Sequence, residues 1–322
     1  MGYHHVRLLR DQKGATFVGF YESDAERSAK VAKELRARPF DSLRALLVEI
    51  DAAIVVVPTK VHFEVACEAL QRGIHLLIEK PIAATLEQAD SLVTMAHQHK
   101  ALLQIGHVER FNRAVRAAMP YLESPRFVES ERLASFKPRG TDVEVVLDLM
   151  IHDIDLVHAL VRDRVADVRA VGVGVLTQVD MTNAWLDFEG GAVANIKASR
   201  VSRDPLRKLR IYQPNGYFSL DLGAGTGEFY RLRADVDLTQ LAKAAQSIES
   251  FVERIKLKAP EGEPLRLEHE SFLAAIRGET KVVVSGEDGR DALAVALRIV
   301  DEVNRSLPKL RDASPRQKLG SA

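Results

Sequence analysis

These 322 residues predict a chain in two parts. The first is an α/β half with a doubly wound parallel sheet. The second is an α+β half with a large, mostly antiparallel sheet. Three observations predict this. Up to about residue 105, short apolar runs alternate with amphipathic helical segments, as strand–helix–strand units require. After Gly106, longer β-forming runs follow one another with hairpin signals between them. The length, with 46% of residues hydrophobic, is enough for two ordinary cores.

The elements of the first half can be taken in order. The runs ATFVGFY, AAIVVV, IHLLIE and ALLQIG read as strands. Between them DAERSAKVAKEL, KVHFEVACEALQRG and TLEQADSLVTMAHQHK read as helices. Val61, Val65 and Ala69 recur every fourth residue and predict one helix face. Gly73 then stands where a helix C-terminus favours glycine. In the second half RFVESERLASF, VRAVGVGVLTQVD, NAWLDFEGGAVANIKASR and KLRIYQPNGYFSLDL read as strands, with Gly190-Gly191 and Asn215-Gly216 as hairpin turns. Helices are expected near 146–161, 239–256, 266–277 and 287–305. The expected domains are 1–106 and 107–310, with a polar tail at 311–322.

Composition narrows the function classes. Lys plus Arg and Asp plus Glu are equal at 45 each, so no global charge draws the chain to nucleic acid or an anionic membrane. No apolar run approaches the roughly 20 residues that cross a bilayer, and the polar start does not read as a signal peptide. The lone cysteine, Cys67, excludes an internal disulfide and fits a reducing cytoplasm. On an amphipathic helix it reads as a small buried residue in preference to a nucleophile.

The opening is unusual. A Rossmann-like nucleotide domain starts with a strand and a G-x-G-x-x-G turn that opens the first helix. Its glycines let backbone N–H groups approach a pyrophosphate. Here HHVRLLRD reads as the first helix, with Gly2 as the third glycine; the strand and the first two glycines are missing. Glu22, about twenty residues on, stands where an acid holds the ribose 2′-OH of NAD. The plainer reading is an ordinary helix and a surface acid. A missing first strand would leave a gap between central strands, with unpaired backbone groups on both sides. The expectation is therefore a true start roughly 10 to 15 residues upstream; the alternative is a shortened, non-catalytic binding protein.

Three later stretches decide the class: IEKPIAATLEQA at 78–89, IGHVERFNRAV at 105–115 and VVLDLMIHDIDLVHAL at 145–160. With the first half, they resemble the Gfo/Idh/MocA family of nicotinamide-dependent oxidoreductases acting on sugars, inositols and nucleotide-linked sugars. The resemblance runs from Gly2 to about residue 305. GHVERFN is most similar to members that oxidise UDP-N-acetylglucosamine or a related UDP-sugar at C3, although Arg113 stands where those usually carry proline.

Oxidising a secondary alcohol needs a base for the hydroxyl proton and is helped by a cation near the developing alkoxide. Asp148 and His152, four residues apart, would share a helix face. His suits proton transfer near neutrality. Pro81 pushes Lys80 toward extended geometry at a strand's C-terminal end, where ligands of such sheets gather. The resemblance implies that Lys80 polarises the hydroxyl, His152 accepts its proton and Asp148 orients the site. It implies that Pro58, Thr59 and His62 line the nicotinamide ribose and that Glu79, Lys80 and Pro81 lie near the ring. Arg110 and Asn112 become substrate contacts, Arg110 suiting a phosphate. The plain alternatives stay open: a strand-end cap for Lys80, a satisfied helix histidine for His152, a dipole-favoured acid for Asp148, an N-cap for Thr59, a salt bridge for Arg110.

No metal is expected. His4-His5, His97 with His99, and His152-Asp153 are the close ligand pairs, and none has zinc-like partners. The expected cofactor is NAD, with NADP as the alternative. The expected substrate is a sugar, either UDP-linked or a free sugar or inositol. A cytoplasmic homodimer or homotetramer is implied by the resemblance.

Overall fold

The computed structural model describes residues 1–136, 143–233 and 251–312, the side chains of 308–312 excepted. The chain forms two units. The first comprises Met1–Phe111 and Glu261–Leu293, the second Asn112–Pro260 and Ala294–Ala322. The expected break at 106 lies close to the crossing at 111–112, but the return of 261–293 to the first unit was not expected.

In the first unit, β1 (Ala52–Val55), β2 (His75–Glu79) and β3 (Leu103–Gly106) form a parallel sheet in the order β1-β2-β3. The central strand is buried on both faces: Leu76, Leu77 and Ile78 are each 0% exposed. Burying each such side chain is worth about 1.5–3 kcal/mol. The helices are α1 (Gly2–Leu9), α2 (Ala25–Leu35), the short α3 (Leu43–Leu47), α4 (His62–Leu70) and α5 (Leu86–Gln98). Asp24, Ser42 and Thr85 cap α2, α3 and α5 through side-chain oxygens. The buried residues of α4 are His62, Ala66, Ala69 and Leu70, so the predicted face is rotated and Val61 and Val65 are only half-buried. Gly73 has φ +73 and its N–H bonds to Leu70 O, closing the helix as expected.

One predicted strand does not form. Within ATFVGFY only Phe20 pairs, as an isolated parallel bridge to Pro39. A strand needs a continuous ladder on at least one edge, and Phe20 has two bonds, with Arg38 O and Phe40 N. No described strand pairs with the outer edge of β1. From the later segment, α8 (Pro264–Ile276) packs beside α1, and Val284 O accepts from Ile105 N at the edge of β3.

In the second unit, β4 (Phe127–Leu133), β5 (Val165–Val173), β6 (Met181–Phe188), β7 (Val193–Ser199), β8 (Leu206–Gln213), β9 (Gly216–Asp221), β10 (Thr226–Leu232) and β11 (Val252–Lys256) form one sheet. Its order is β11-β10-β9-β8-β4-β7-β6-β5, with β4–β7 the one parallel pair and the rest antiparallel. Both predicted glycine turns connect hairpins, β6–β7 and β8–β9. The helix expected at 239–256 is corrected at its end. Residues 239–250 lie outside the described residues, and Val252–Lys256 is a strand whose Glu253 and Arg254 pair with Arg231 and Glu228 of β10. The helix at 146–161 begins as a π-helical turn, Val146–Met150, and continues as α7 (Ile151–Val161). The short α6 (Arg113–Ala118) precedes the sheet. The last helix, α9 (Gly286–Asp312), starts in the first unit and ends in the second, where Arg298 donates to Val165 O and Ala166 O. Of the expected tail, residues 313–322 lie outside the described residues.

Candidate active site

Parallel pairing sends the chain from β1, β2 and β3 into turns at a common edge of the first unit's sheet, the edge where open α/β sheets take ligands. Glu79 ends β2 in register with Gly106 of β3. A Cβ at Gly106 would lie 3.1 Å from Glu79 Cα and 3.2 Å from its carboxyl carbon, so any larger residue would press on the strand end that carries the carboxylate. Oε1 of Glu79 lies 3.0 Å from His5 Nε2, and Oε2 accepts the Lys80 backbone N–H at 3.2 Å. Burial alone would raise this carboxyl. The His5 hydrogen bond and the charges of His5 and Lys80 outweigh it, and the pKa falls below its ordinary value. His5 Nδ1 in turn lies 2.9 Å from His269 Nε2 of α8. Lys80 itself is half-buried, and its bond to Pro81 is cis.

His62 ties two of these turns together. Its Nδ1 lies 2.9 Å from Pro81 O and its Nε2 2.8 Å from Val57 O. Burial is the main cause that pushes this imidazole's pKa down, so it stays neutral and donates to one carbonyl at a time. Pro58 precedes a 3₁₀ turn, Thr59–Val61, that Thr59 does not cap through its side chain; α4 begins only at His62. The N-cap alternative for Thr59 therefore falls away.

The first unit also has an open cleft of about 380 Å³ lined by Tyr21, Glu22, Ser23, Ser28, Phe40 and Asp41, among others. Glu22 Oε1 accepts from Asp24 N at 3.0 Å and has Arg27 at 3.9 Å, which fixes the carboxylate in the cleft wall. No side chain caps the first turn of α1, and a Cβ at Gly2 would meet nothing within 4 Å. An uncapped helix N-terminus and a cleft with a held carboxylate fit the pyrophosphate and ribose of a dinucleotide.

Arg110 follows β3 on a 3₁₀ turn; it is nearly buried, with its guanidinium 3.9 Å from Asp288. Asn112 is 7% exposed and works as a fastener: Oδ1 caps α6 at Ala114 N, and Nδ2 donates to Leu222 O.

In the second unit Asp148 lies in the π-helical turn, where Ile151 N bonds five residues back to Val146 O. His152 opens α7, and both side chains are half-buried. The wider π turn alters the simple i, i+4 face that the sequence suggests, and such turns recur at functional sites. The neighbouring acids point inward. Asp153, 1% exposed, accepts Arg132 Nε at 2.6 Å and Nη2 at 3.1 Å, and Ser130 Oγ at 2.8 Å. Asp155 is 0% exposed, so Asp148 is the acid of this stretch left nearest solvent.

Sequence reasoning missed His5 as a functional neighbour, and missed His269, Arg132 and Gly106. Helical spacing carried a signal for two of them. His5 shares its face with the buried Leu8, and His269 with the buried Leu265 and Phe272. Arg132 alternates with outward residues along β4, whose burial reads in strict period two. Among the described residues no three His, Cys, Asp or Glu side chains converge as metal ligands.

Comparison with known proteins gives the family. The model of an oxidoreductase family with an NAD-binding Rossmann fold matches residues 1–107, and that of the GFO/IDH/MocA C-terminal domain matches 104–219. The chain is 41% identical over 308 residues to a UDP-N-acetylglucosamine 3-dehydrogenase of Acidithiobacillus ferrooxidans, covering 93% of this chain and 94% of that one. The solved structure of that enzyme superposes with a TM-score of 0.86 over 95% of both chains. A scyllo-inositol 2-dehydrogenase (NAD(+)) of Bacillus subtilis is 24% identical over 63% of this chain and 65% of its own. The chain belongs to the Gfo/Idh/MocA family of NAD-binding oxidoreductases.

Proposed function

We propose that the chain is an NAD-dependent dehydrogenase that oxidises a secondary alcohol of a nucleotide-linked sugar, with UDP-N-acetylglucosamine as the first candidate. The observation that carries this reading is the 41% identity, sustained over 93% of the chain, to an enzyme named for that substrate. The bound nicotinamide would supply the hydride acceptor. Gly2 and the α1 N-terminus would hold the pyrophosphate, Glu22 the adenosine ribose, and Pro58, Thr59, Glu79 and Pro81 the nicotinamide end. His62 contributes by clamping the turns that carry them. Glu22 favours NAD, because a 2′-phosphate would meet a carboxylate.

In this reading His152 takes the hydroxyl proton and the Lys80 ammonium stabilises the oxygen as charge builds on it. Asp148 orients the imidazole or contacts the sugar. Arg110 meets a diphosphate oxygen, and Asn112 holds the Arg110–Arg113 stretch in place. One face of the second unit's sheet packs α7; the other carries a stacked row of Tyr212, Tyr217 and Tyr230, with centroids 5.4 and 4.9 Å apart. That aromatic face supports a homodimer or homotetramer, and the lone cysteine supports a cytoplasmic location.

The test is a substrate screen followed by NADH absorbance, with UDP-N-acetylglucosamine, N-acetylglucosamine and myo-inositol as arms. Turnover with the UDP-sugar alone is expected; turnover only with free sugar or inositol replaces the substrate class. With the active substrate, kcat/KM is expected to fall as pH drops through the His152 pKa, and His152→Asn to flatten that limb. An unchanged limb removes His152 as the base.

A further inference from the structure

Two imidazoles stand behind the Glu79 carboxylate, and the mechanism above uses neither. His5 and His269 are 2% and 0% exposed. The sequence Glu79–His5–His269 forms one hydrogen-bonded chain, at 3.0 and 2.9 Å, joining the end of β2, α1 and α8. Among the described residues His269 Nδ1 has no hydrogen-bond partner.

That last atom orients the chain. Burial, then the charges of His5 and Arg266, holds the His269 pKa down to about 3, so its ring carries a single N–H. If that proton sits on Nε2, it is donated to His5 Nδ1. His5 then donates Nε2–H to an ionised Glu79, and the atom left over is a bare lone pair. The reverse order has His5 Nδ1–H donating to His269, with Glu79 either protonated and donating to His5 Nε2 or ionised beside an imidazolium. It strands an N–H in the interior, which is rarer than an orphaned acceptor and costs about 1–3 kcal/mol. The groups facing the chain are Glu79 and Lys80 from the end of β2 and Arg266 from α8. Arg7, on the helix of His5, is ion-paired with Glu263. A cation at Lys80 favours the first order.

We propose that His5 is a positioning residue: it donates Nε2–H to Glu79, keeps that carboxylate charged beside Lys80, and thereby fixes the E-K-P turn for catalysis. The proposal rests on the reading of Lys80 as the cation of a dehydrogenase site. A residue that only filled space could be replaced by an apolar group of similar volume. A donor to Glu79 cannot, whereas glutamine presents an N–H close to the position of the imidazole Nε2.

Two measurements test this. In ¹⁵N-histidine-labelled wild-type protein without cofactor at pH 7, His5 is expected to carry a proton on Nε2; an unprotonated Nε2 overturns the proposal whatever the enzyme does. In steady-state assays with NAD and UDP-N-acetylglucosamine, His5→Leu is expected to lower kcat about 100-fold with KM changed less than about twofold, and His5→Gln to recover kcat to within about fivefold. Equal losses in His5→Leu and His5→Gln overturn it. Lys80→Ala is the control: wild-type turnover there defeats the reading of Lys80 as the cation of the site, while the tautomer result stands or falls by itself.

Discussion

The two units bury charge in opposite ways. In the first, one largely covered acid is Glu79, held by His5 and backed by a second imidazole, His269. In the second it is Asp153, held by both Nε and Nη2 of Arg132 and by Ser130. A guanidinium does not titrate in the working range, so the second arrangement is locked as built. An imidazole can carry its proton on either ring nitrogen, so the first can adjust to its surroundings. The locked pair fastens α7, and with it His152, to β4; the adjustable chain sits behind Lys80. The fixed part carries the proposed base by its helix, while the adjustable part sets the field around the proposed cation.

The comparison can be broken or sharpened at four points, taken from the largest effect down. Lys80→Ala is expected to reduce kcat about 1000-fold, about 4 kcal/mol of barrier, with NAD affinity by calorimetry nearly unchanged. Turnover close to that of the parent chain would take the lysine out of the chemistry. Next, Arg132→Met should leave Asp153 buried and unpaired and destabilise the protein by about 3–5 kcal/mol in urea unfolding. Arg132→Met combined with Asp153→Leu should recover most of that, because no charge is then stranded. A double variant as weak as the single one would mean the site needs the ion pair itself.

Acid should separate the units in order. His269 binds its proton more weakly when folded, with a pKa of about 3 against 6.5, so the unfolded chain takes up the proton first. Its contribution is complete above pH 6.5 and declines as pH falls toward 3, at about 1.4 kcal/mol per pH unit. In the second unit Asp180, 0% exposed, accepts N–H bonds from Val175, Leu176 and Thr177. Burial opposes its ionisation, but the Thr177 hydroxyl and these N–H groups prevail and bring the pKa to about 2 from 3.8. Its contribution, about 2 kcal/mol, is lost only as pH falls below about 4. Fluorescence-monitored acid titration should therefore weaken the parent chain first between pH 6.5 and 4, and His269→Phe should flatten that segment. Identical slopes would show that the buried imidazole carries no such penalty. The smallest effect is at Glu22: Glu22→Ser is expected to narrow the preference for NAD over NADP by about tenfold, about 1.4 kcal/mol, in paired dissociation constants. An unaltered ratio would move the ribose contact elsewhere, with Asp41 the next acid in the cleft wall.

Much of this was legible in the chain. Alternation of apolar runs and amphipathic helices gave the parallel sheet, and period-two runs with glycine turns gave the antiparallel one. The motif residues Glu79, Lys80 and Pro81 announced a strand-end site because proline restricts the residue before it. Three failures have physical causes. ATFVGFY has strand composition, yet whether a strand forms depends on a neighbour to complete its ladder, and among the described residues only Pro39 pairs with it. Val252–Lys256 has mixed charges that read equally well as a helix surface; cross-strand pairing with β10 settled it. The π turn at Val146–Met150 inserts one residue into a helical register and leaves no mark in the pattern.

The sequence by itself determined the family, the order of elements and the residues able to do the chemistry, because periodicity, turn residues and short motifs act over a few neighbouring positions. Tertiary structure decided which of those residues touch. It brought His269 behind His5 from 264 positions away, turned Asp153 toward Arg132, and set His62 between two carbonyls. Those contacts depend on where the chain returns after long excursions, and side-chain spacing along a single helix or strand has no means of recording it.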